Sequence, residues 1–410
     1  MDFLRTKVKN ECFGCEACVQ ACPKKALSMQ EDSEGFRYPQ VNEDLCIHCD
    51  LCHRVCPANN MPECSHDPKY AYGGYHKDNE IRRMSTSGGA FAAITQAFCD
   101  ENYVVYGATS DGLNVFHYGI DNIRNLQAIC KSKYSQSRIN NTFSKIKADL
   151  RNAKKVLFAG TPCQVAGLKS FLQNADVSNL LLVEVVCEGV PSPLYIRKLD
   201  DHVERKYGAR IQKLDYRSKG FKSTPSSFKW DFERMCLELK NGKILDKDRW
   251  FNPYWSIWLK HLMSRPSCYQ CPFATTERQA DITLGDLWGV HLYCPELYGK
   301  NGGASLIVCN TEKGRKLWAK ASERFVGHEL DFNTALKYQG PLRKHIDENP
   351  DREACMQDLM NPEMVYTEIC KKWATPPTVK LLFQKYIWGN RQKVFIWNLK
   401  HNNKERSKNA

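Results

Sequence analysis

The sequence has no long apolar run. None of its apolar stretches approaches the ~18 consecutive residues that a membrane-spanning helix needs. The stretch LLLVEVV, which begins at Leu180, has the length of a strand. The opening residues MDFLRTKVKN also lack the apolar core of a secretory signal peptide. These two absences predict a soluble, cytoplasmic protein.

Cysteine, in contrast, is abundant, with 20 residues in a chain of 410. In a reducing compartment this number favours metal ligands over disulfides. The formal net charge is +13, but residues 1–66 hold 7 Lys/Arg and 10 Asp/Glu, so the positive charge lies in the remainder. A basic body of this kind is expected to attract an acidic electron carrier or a phosphorylated substrate. A merely soluble surface explains the charge equally well.

Two cysteine runs repeat one spacing. CFGCEACVQACP begins at Cys12 and CIHCDLCHRVCP begins at Cys46, and each reads C-x2-C-x2-C-x3-C-P. This is the ligand pattern of bacterial two-cluster ferredoxins, in which the fourth cysteine of each run binds the other cluster. The repeat indicates an internal duplication. The predicted ligands are Cys12, Cys15, Cys18 and Cys56 for one cluster, and Cys46, Cys49, Cys52 and Cys22 for the other.

A zinc module is the alternative interpretation of these cysteines. Zinc sites usually use two C-x2-4-C pairs, and two runs of four that each end in proline fit that pattern poorly. Between the runs, ALSMQEDSEGFRYPQV alternates apolar and polar residues on either side of a turn signal, which predicts a β-hairpin. Residues 1–66 are therefore predicted to be a 2x4Fe-4S ferredoxin-type domain that transfers electrons.

The larger part of the chain begins with residues 67–79, DPKYAYGGYHKDN, which are predicted to be a loop between two domains. The stretch STSGG then precedes a helical pattern. Such a helix start offers free backbone N–H groups to a cofactor phosphate, or is an ordinary cap with a glycine turn. Strands are predicted at NYVVYGATSDG and VFHYGI, and KKVLFAGTPCQVAGLKSFL predicts a strand, a turn and a helix.

Two predicted strands end near cysteines. The strand Val156 to Ala159 is followed by a turn that contains Cys163, and the strand in LLLVEVV ends near Cys187. Ligands in α/β folds collect at the carboxyl ends of such strands, so these cysteines are expected to approach each other. The pair Cys268 and Cys271 would complete four ligands for a third cluster, although alone it is also typical of half a zinc site or of a redox pair.

The remaining eight cysteines are predicted to be reduced structural thiols, with Cys294 or Cys309 left open as replacement ligands.

Several motifs together resemble a known family. STSGGAF, KSKYSQS, AGTPCQVAGL, CEGVPS and CYQCPF…ADITLGDLWG occur in this order. Over roughly residues 70–350 the series resembles the coenzyme F420 hydrogenase/dehydrogenase beta-subunit family. With the ferredoxin-type domain, the architecture resembles the F420H2 dehydrogenase input subunit of methanogens. The 7-hydroxymethyl chlorophyll a reductase is a more distant relative.

This resemblance implies a flavoprotein in which FAD lies beside a 4Fe-4S cluster. Carried over by position, the residues at FAD would be Ser87, Gly88, Gly89, Lys133, Tyr134 and Ser137. The cluster would be held by Cys163, Cys187, Cys268 and Cys271. Family members often have histidine where this chain has Glu188, which leaves the substrate open. No catalytic residue is assigned.

Flavins exchange two electrons with organic molecules, and iron–sulfur clusters carry one electron each. We therefore predict an iron–sulfur flavoprotein oxidoreductase of an anaerobe that passes electrons between a ferredoxin-type carrier, its 4Fe-4S clusters, FAD and an organic substrate. One alternative is the oxidation of reduced coenzyme F420, with electrons leaving through the clusters. Another is a non-catalytic electron-transfer subunit that serves a partner redox subunit in a larger complex.

The expected fold class is α+β. A bacterial ferredoxin-like domain (1–66) precedes an α/β flavin-binding body, divided into family regions 67–150 and 151–350, and a helical basic extension (351–410). From residue 379 onward there are eight Lys/Arg and one acidic residue, interleaved with Trp388, Phe395 and Trp397. This composition predicts either weak peripheral contact with a membrane or docking on the body. Nucleic-acid binding is not predicted, because no recognised module is present.

Overall fold

The computed structural model describes residues 3–219, 234–297 and 302–383. Trp388, Phe395 and Trp397 lie outside the described residues, so their predicted membrane contact stays a prediction. Across the described ranges, no helix combines the length and the apolar character that a membrane crossing requires.

The strands are β1 (Leu27–Glu31), β2 (Arg37–Val41), β3 (Tyr70–His76), β4 (Tyr103–Asp111), β5 (Asn114–Ile120), β6 (Lys155–Gly160), β7 (Leu180–Val185), β8 (Ile211–Ser218), β9 (Arg234–Leu239), β10 (Ile244–Asp248), β11 (Ile282–Asp286), β12 (Ser305–Cys309) and β13 (Phe325–Leu330). The helices are α1 (Phe3–Thr6), α2 (Ala17–Ala21), α3 (Leu51–Arg54), α4 (Asn79–Arg83), α5 (Ala90–Phe98), α6 (Thr142–Arg151), α7 (Pro162–Leu172), α8 (Leu194–Tyr207), α9 (Pro253–Trp258), α10 (Val290–Tyr293), α11 (Glu312–Ser322), α12 (Phe332–Lys337), α13 (Arg352–Met360), α14 (Tyr366–Trp373) and α15 (Val379–Phe383).

Residues 3–66 form a small unit, here called the module. Its strands β1 and β2 pair antiparallel, with Leu27 opposite Val41 and Glu31 opposite Arg37. The hairpin predicted from the alternating pattern is therefore confirmed. Helices α2 and α3 lie in the two cysteine runs, as their duplication suggests.

The rest of the chain, here called the body, is built around a mixed sheet. Within the described ranges the strand order is β13-β3-β12-β11-β7-β6-β4-β5. The four central strands β11, β7, β6 and β4 are parallel to one another, so their carboxyl ends lie along one edge. Ligand sites in α/β folds form at such an edge. Strands β8, β9 and β10 form a separate antiparallel sheet.

The prediction that residues 67–79 form a loop is wrong. Residues 70–76 are β3, which pairs with β12 and with β13 inside the main sheet. A Cβ on Gly74 would lie 2.4 Å from the backbone oxygen of Val326, so glycine is required for the neighbouring strand to approach. The double glycine that suggests a loop thus permits close strand contact.

The module shares a hydrophobic core with the body. Ala17 and Val55 of the module are buried together with Phe143 of α6 and with Val165 and Leu168 of α7. On the opposite face of the sheet, α5 and α11 cover a second core. The module is therefore fixed against α6 and α7 by apolar burial, which is the dominant favourable term in folding.

Candidate iron–sulfur and cofactor site

The two cysteine runs adopt the same unusual backbone. Gly14 and Glu16 in the first run have φ angles of 68° and 63°, and His48 and Asp50 at the equivalent positions of the second have 51° and 55°. Left-handed backbone costs roughly 1–2 kcal/mol for a residue with a side chain. Its presence at matching positions shows that the two loops wrap in the same way, as the sequence duplication predicts.

The thiols of the first predicted cluster lie together. Burial raises the pKa of the Cys18 thiol, and the nearby thiols of Cys15, Cys12 and Cys56 raise it further. One cavity of the module is lined by all four of these cysteines and by Cys52. The structure thus brings Cys56 of the second run to the first loop, which is the crossed arrangement that the spacing predicts.

The second predicted cluster shows the reciprocal crossing. Burial raises the pKa of Cys52, and Cys22 and Cys49 add to the effect. The backbone N–H of Ala26 donates a hydrogen bond of 3.2 Å to the sulfur of Cys22, and such donors stabilise cluster sulfur charge. Cys49 is exposed to solvent. This set therefore lies nearer the surface than the first, in which Cys15 is buried.

In the body, Cys163, Cys187, Cys268 and Cys271 line one cavity, here called the inner pocket. Burial raises the pKa of Cys187 well above its ordinary range, and Cys268, Cys163 and Cys271 each raise it further. The two cysteines left open as replacements, Cys294 and Cys309, lie elsewhere, in the cores around β12.

Local structure positions these four thiols. Cys163 lies in the first turn of α7 rather than in the turn predicted from sequence, because Pro162 begins the helix and Thr161 and Gln164 form its capping box. The positive end of that helix favours a thiolate. The loop after Cys271 is held by Arg278, whose guanidinium donates hydrogen bonds to the backbone oxygens of Phe273 (2.7 Å) and Thr275 (2.8 Å).

The first cysteine loop of the module lies directly against the inner pocket. A Cβ on Gly167 of α7 would lie 2.9 Å from the sulfur of Cys15, so the loop and this helix touch where glycine removes the side chain. The rings of Phe13 and Phe273 contact edge to face, with centroids 5.1 Å apart. Phe13 follows Cys12 and also lines the inner pocket, so the two cysteine sets are neighbours.

A larger cavity, here called the cleft, opens at the carboxyl ends of β6, β7 and β11. Its volume is about 300 Å³. It is lined by Ser87, Gly89, Lys133, Tyr134 and Ser137, which are five of the residues predicted to contact FAD. Cys163 and Cys187 line both the cleft and the inner pocket. The two cavities therefore share a wall.

The sixth predicted FAD residue, Gly88, is placed differently. A Cβ on Gly88 would lie 2.4 Å from the backbone oxygen of Gly74 and 2.6 Å from the backbone nitrogen of Ser305. Its backbone oxygen accepts a hydrogen bond from the N–H of His76. Glycine at this position is thus explained by packing between β3 and β12, and its contact with FAD stays a prediction.

Lys133 presents a cation to the cleft. Burial lowers its pKa to about 8, and its ammonium donates hydrogen bonds to the backbone oxygens of Ala108 (2.6 Å) and Cys130 (2.7 Å). An ammonium has three N–H donors, so one remains for a ligand. The structure thus provides a positioned donor beside the cleft, and the same two bonds give Lys133 a structural role.

A hydrogen-bonded chain of buried side chains also borders the cleft. Gln164 donates to the hydroxyl of Ser137 (2.9 Å), whose oxygen lies 3.1 Å from Nδ1 of His117. Nε2 of His117 lies 3.0 Å from the backbone oxygen of Ala159, and burial lowers the pKa of His117 to about 4. Because the imidazole is neutral at pH 7, Nε2 donates to Ala159 and Nδ1 accepts from Ser137.

Ionised side chains lie at the end of β11. Burial would raise the pKa of Asp286, but Arg217, which donates a hydrogen bond of 2.6 Å to it, together with Ser87 and Arg249 more than offsets this, so its pKa is lowered. Glu188, the departure from the family pattern, lines both cavities, and burial raises its pKa. The cleft therefore contains a carboxylate fixed in its charged form and a second carboxyl group that is easier to protonate.

Sequence reasoning missed His117, Gln164, Arg217 and Asp286 as cleft residues. Asp286 and Gln164 lie inside the quoted motifs ADITLGDLWG and AGTPCQVAGL, which offered a signal. Arg217 lies one residue before the end of β8 in the separate sheet, and His117 lies within β5, so neither had a local signal.

These features define an iron–sulfur redox protein with a module of two cysteine sets and a body whose inner cysteines adjoin a ligand-sized cleft. Residues 153–331 match the family described as the C-terminal region of the coenzyme F420 hydrogenase/dehydrogenase beta subunit. Residues 11–60 match the 4Fe-4S dicluster domain. The resemblance predicted from the motifs is thus confirmed for these two regions: the chain carries a region of the coenzyme F420 hydrogenase/dehydrogenase beta-subunit type and a 4Fe-4S dicluster domain.

Individual relatives match the module. An uncharacterised polyferredoxin-like protein of Methanocaldococcus jannaschii is 31% identical over 61 residues, which are 13% of this chain and 36% of that protein. The ketoisovalerate oxidoreductase subunit VorC of Methanothermobacter marburgensis is 36% identical over 55 residues, 13% of this chain and 70% of that protein. The hydrogenase-4 component A of Escherichia coli is 38% identical over 66 residues, 16% of this chain and 30% of that protein. The chain thus spans about a third of the first and last of these relatives.

Among solved structures, the F420-reducing NiFe hydrogenase complex from Methanosarcina barkeri contains a chain that aligns with 76% of this one and over 94% of its own length. The sequence identity is 15% and the TM-score is 0.42, which is too low to establish a shared fold.

Proposed function

We propose that this chain is an FAD-dependent iron–sulfur oxidoreductase that passes electrons between a ferredoxin-type carrier and an organic substrate. The supporting observation is that Cys163 and Cys187 line both the inner pocket and the cleft. A 4Fe-4S cluster held by Cys163, Cys187, Cys268 and Cys271 would therefore form part of the cleft wall. Four clustered thiols are the soft donor set that iron–sulfur clusters select.

The residues of the cleft fit a flavin. Ser87, Gly89, Lys133, Tyr134 and Ser137 would hold it, and the volume of about 300 Å³ lies at the lower end of cofactor sites. When bound, FAD supplies the coupling between two-electron chemistry on an organic molecule and the one-electron chemistry of the clusters. Lys133 would hold negative charge on the cofactor through its remaining N–H, and Arg217 keeps Asp286 ionised at the same edge.

The exposed end of the module is the proposed docking point for the external carrier. Cys49 is exposed, and the side chains of Leu45 and Ile47 beside it are 50% and 55% exposed. Electrons would enter or leave there and cross to the inner cysteines where Cys15 meets Gly167. The path therefore runs from the surface through both module clusters to the cleft.

A second candidate concerns the substrate. The family description names coenzyme F420, so oxidation of its reduced form at the cleft, with electrons leaving through the module, is the alternative direction. A relay subunit without substrate chemistry would need no ligand-sized cleft beside the inner cysteines. We therefore favour an enzyme over a relay.

The test is anaerobic purification of the full chain, followed by mass spectrometry of the released flavin and an assay with reduced ferredoxin or with reduced coenzyme F420. Val185 ends β7, lines the cleft and is 40% exposed, so Val185→Trp should fill the cleft without disturbing the core. We expect wild type to release about one FAD per chain. The Val185→Trp variant should lose the flavin and keep its iron.

The matched control is Val177→Trp, which changes a valine of similar exposure (42%) outside the cleft and should keep both cofactors. Wild type that carries full iron but takes up no flavin after reconstitution would overturn the proposed function. Activity with reduced coenzyme F420, without activity with reduced ferredoxin, would select the second candidate.

A further inference from the structure

A group of potential metal ligands lies outside the iron–sulfur sites, at Cys294, Glu296 and His328. The sulfur of Cys294 lies 3.2 Å from Nε2 of His328 and 3.4 Å from Oε1 of Glu296. The same Nε2 and Oε1 atoms are 3.2 Å apart. Three different donor atoms thus form a nearly equilateral triangle.

The dimensions of this triangle match a zinc coordination face. Zinc lies about 2.3 Å from cysteine sulfur, about 2.0–2.1 Å from histidine nitrogen and about 2.0–2.2 Å from carboxylate oxygen. In a tetrahedral site these lengths place neighbouring donor atoms roughly 3.3–3.6 Å apart. The observed separations of 3.2–3.4 Å need to expand only slightly to accept the ion.

We propose that Cys294, Glu296 and His328 bind one Zn²⁺ ion, with water in the fourth position. One sulfur, one imidazole nitrogen and one carboxylate oxygen form a mixed donor set that suits zinc. The side chains of Glu296 and His328 are 56% and 48% exposed, so the ion can reach the site and a water can complete it. Cys294 is 1% exposed, which fixes the sulfur as the anchored ligand.

The fold positions these ligands from two separate elements. Cys294 directly follows α10, and Glu296 lies in the short 3-10 helix Pro295–Leu297. His328 lies in β13, opposite Gly73 of β3. The segment that carries Cys294 and Glu296 begins at the end of β11, where Asp286 and Trp288 line the cleft. Zinc would therefore tie this cleft-forming segment to the edge strand of the sheet.

The described residues contain one further group of this kind, Glu43, Cys46 and His48. It includes Cys46, which is already assigned to a module cluster, so it is not proposed as a separate site. The group at Cys294 shares no residue with either cavity of the redox site. Its zinc proposal is therefore independent of the proposed function.

The experiment uses the full chain with its iron–sulfur clusters intact. After anaerobic incubation with one equivalent of Zn²⁺ and gel filtration, zinc and iron are counted by mass spectrometry, and the zinc environment is read by X-ray absorption at the zinc edge. We expect about one zinc per chain, with one sulfur at about 2.3 Å and three nitrogen or oxygen ligands near 2.0 Å. Zinc surrounded by four sulfurs would mean that it occupies a cysteine site intended for iron, and would overturn the proposal.

Two surface substitutions provide the matched variants, because both side chains are about half exposed and their replacement should cost little stability. His328→Ala and Glu296→Gln should each weaken zinc binding by more than the roughly 10–100-fold that outer-shell changes cost, with unchanged iron. Cys99→Ser, which alters a partly buried thiol elsewhere, should bind zinc like wild type. Retention of tight zinc binding by His328→Ala, or no binding by wild type, would overturn the assignment.

Discussion

The side-chain Nε of Arg265 donates a hydrogen bond of 3.0 Å to the backbone oxygen of Cys12. The same guanidinium donates to Gln136 (2.9 Å) and to the backbone oxygen of Arg37 (3.1 Å). Arg265 is 1% exposed and immediately precedes the short 3-10 helix Pro266–Gln270, which contains Cys268. One buried cation thus connects the first cysteine loop of the module to the inner cysteines of the body.

Replacing Arg265 should loosen this connection. Arg265→Met leaves three partly buried acceptors without their donor, and each such loss costs about 1–3 kcal/mol. Because the acceptors are only partly buried, we expect a total loss of roughly 3 kcal/mol in the free energy of unfolding, at the low end for three such bonds, and slower reduction of the proposed flavin in the cleft through the module. The checks are denaturant unfolding and stopped-flow absorbance with a dithionite-reduced carrier.

Arg197→Met is the control at the same interface. Arg197 pairs with Glu31 of the module, but its side chain is 45% exposed, so its loss should cost less than about 1 kcal/mol. Equal destabilisation by the two variants would show that Arg265 has no special role in docking.

Iron content should separate the proposed inner cluster from the module clusters. Three 4Fe-4S clusters require about 12 iron atoms per chain. Changing Cys268 and Cys271 together to serine should remove about 4 of them, because a hydroxyl ligates iron more weakly than a thiolate. Electron paramagnetic resonance of the reduced variant should still show both module clusters.

The matched pair is Cys12→Ser with Cys15→Ser, which should damage the module and spare the inner cluster. Reduction of the cleft cofactor through the module should become slow in both double variants. If the Cys268/Cys271 variant retains all of the wild-type iron, those two residues are not ligands.

The buried imidazole of His117 predicts an acid-dependent loss of stability. Burial lowers its folded pKa from 6.5 to about 4, so the unfolded chain takes up a proton first as the pH falls. The stabilisation is complete above about pH 6.5 and is lost as the pH falls toward 4. At pH 5 the loss should be about 2 kcal/mol relative to pH 7.

His117→Gln tests this assignment, because glutamine retains a donor for the backbone oxygen of Ala159 and does not titrate. Unfolding free energies at pH 7 and pH 5 should differ by about 2 kcal/mol less in this variant than in wild type. Acid damage to the clusters is common to both proteins and cancels in the comparison. If the unfolding free energy falls equally from pH 7 to pH 5 in wild type and in the variant, groups other than His117 control the acid response.

The extent of sequence-based prediction differs between the parts of the molecule. The spacing of the two runs predicts that the fourth cysteine of each run lies with the other run. The structure places Cys56 near Cys12, and Cys22 near Cys52, as this crossed grouping requires. Five of the six residues that the family resemblance predicts at FAD, including Lys133 and Tyr134, line the cleft, and their contact with FAD stays a prediction. Gly88, in contrast, is explained by its contact with Gly74, which lies in a different element of the sheet.

The sequence alone determined the module, because a cysteine repeated every third residue fixes a tight loop and its ligand geometry locally. It also determined the alternating hairpin of β1 and β2. Only the tertiary structure decided that residues 70–76 form a strand, because their partners β12 and β13 lie more than 200 residues further along the chain. The shared wall at Cys163 and Cys187 and the triangle at Cys294 were decided in the same way. These sites join residues from separate elements, and sheet order and packing, rather than local spacing, set their distances.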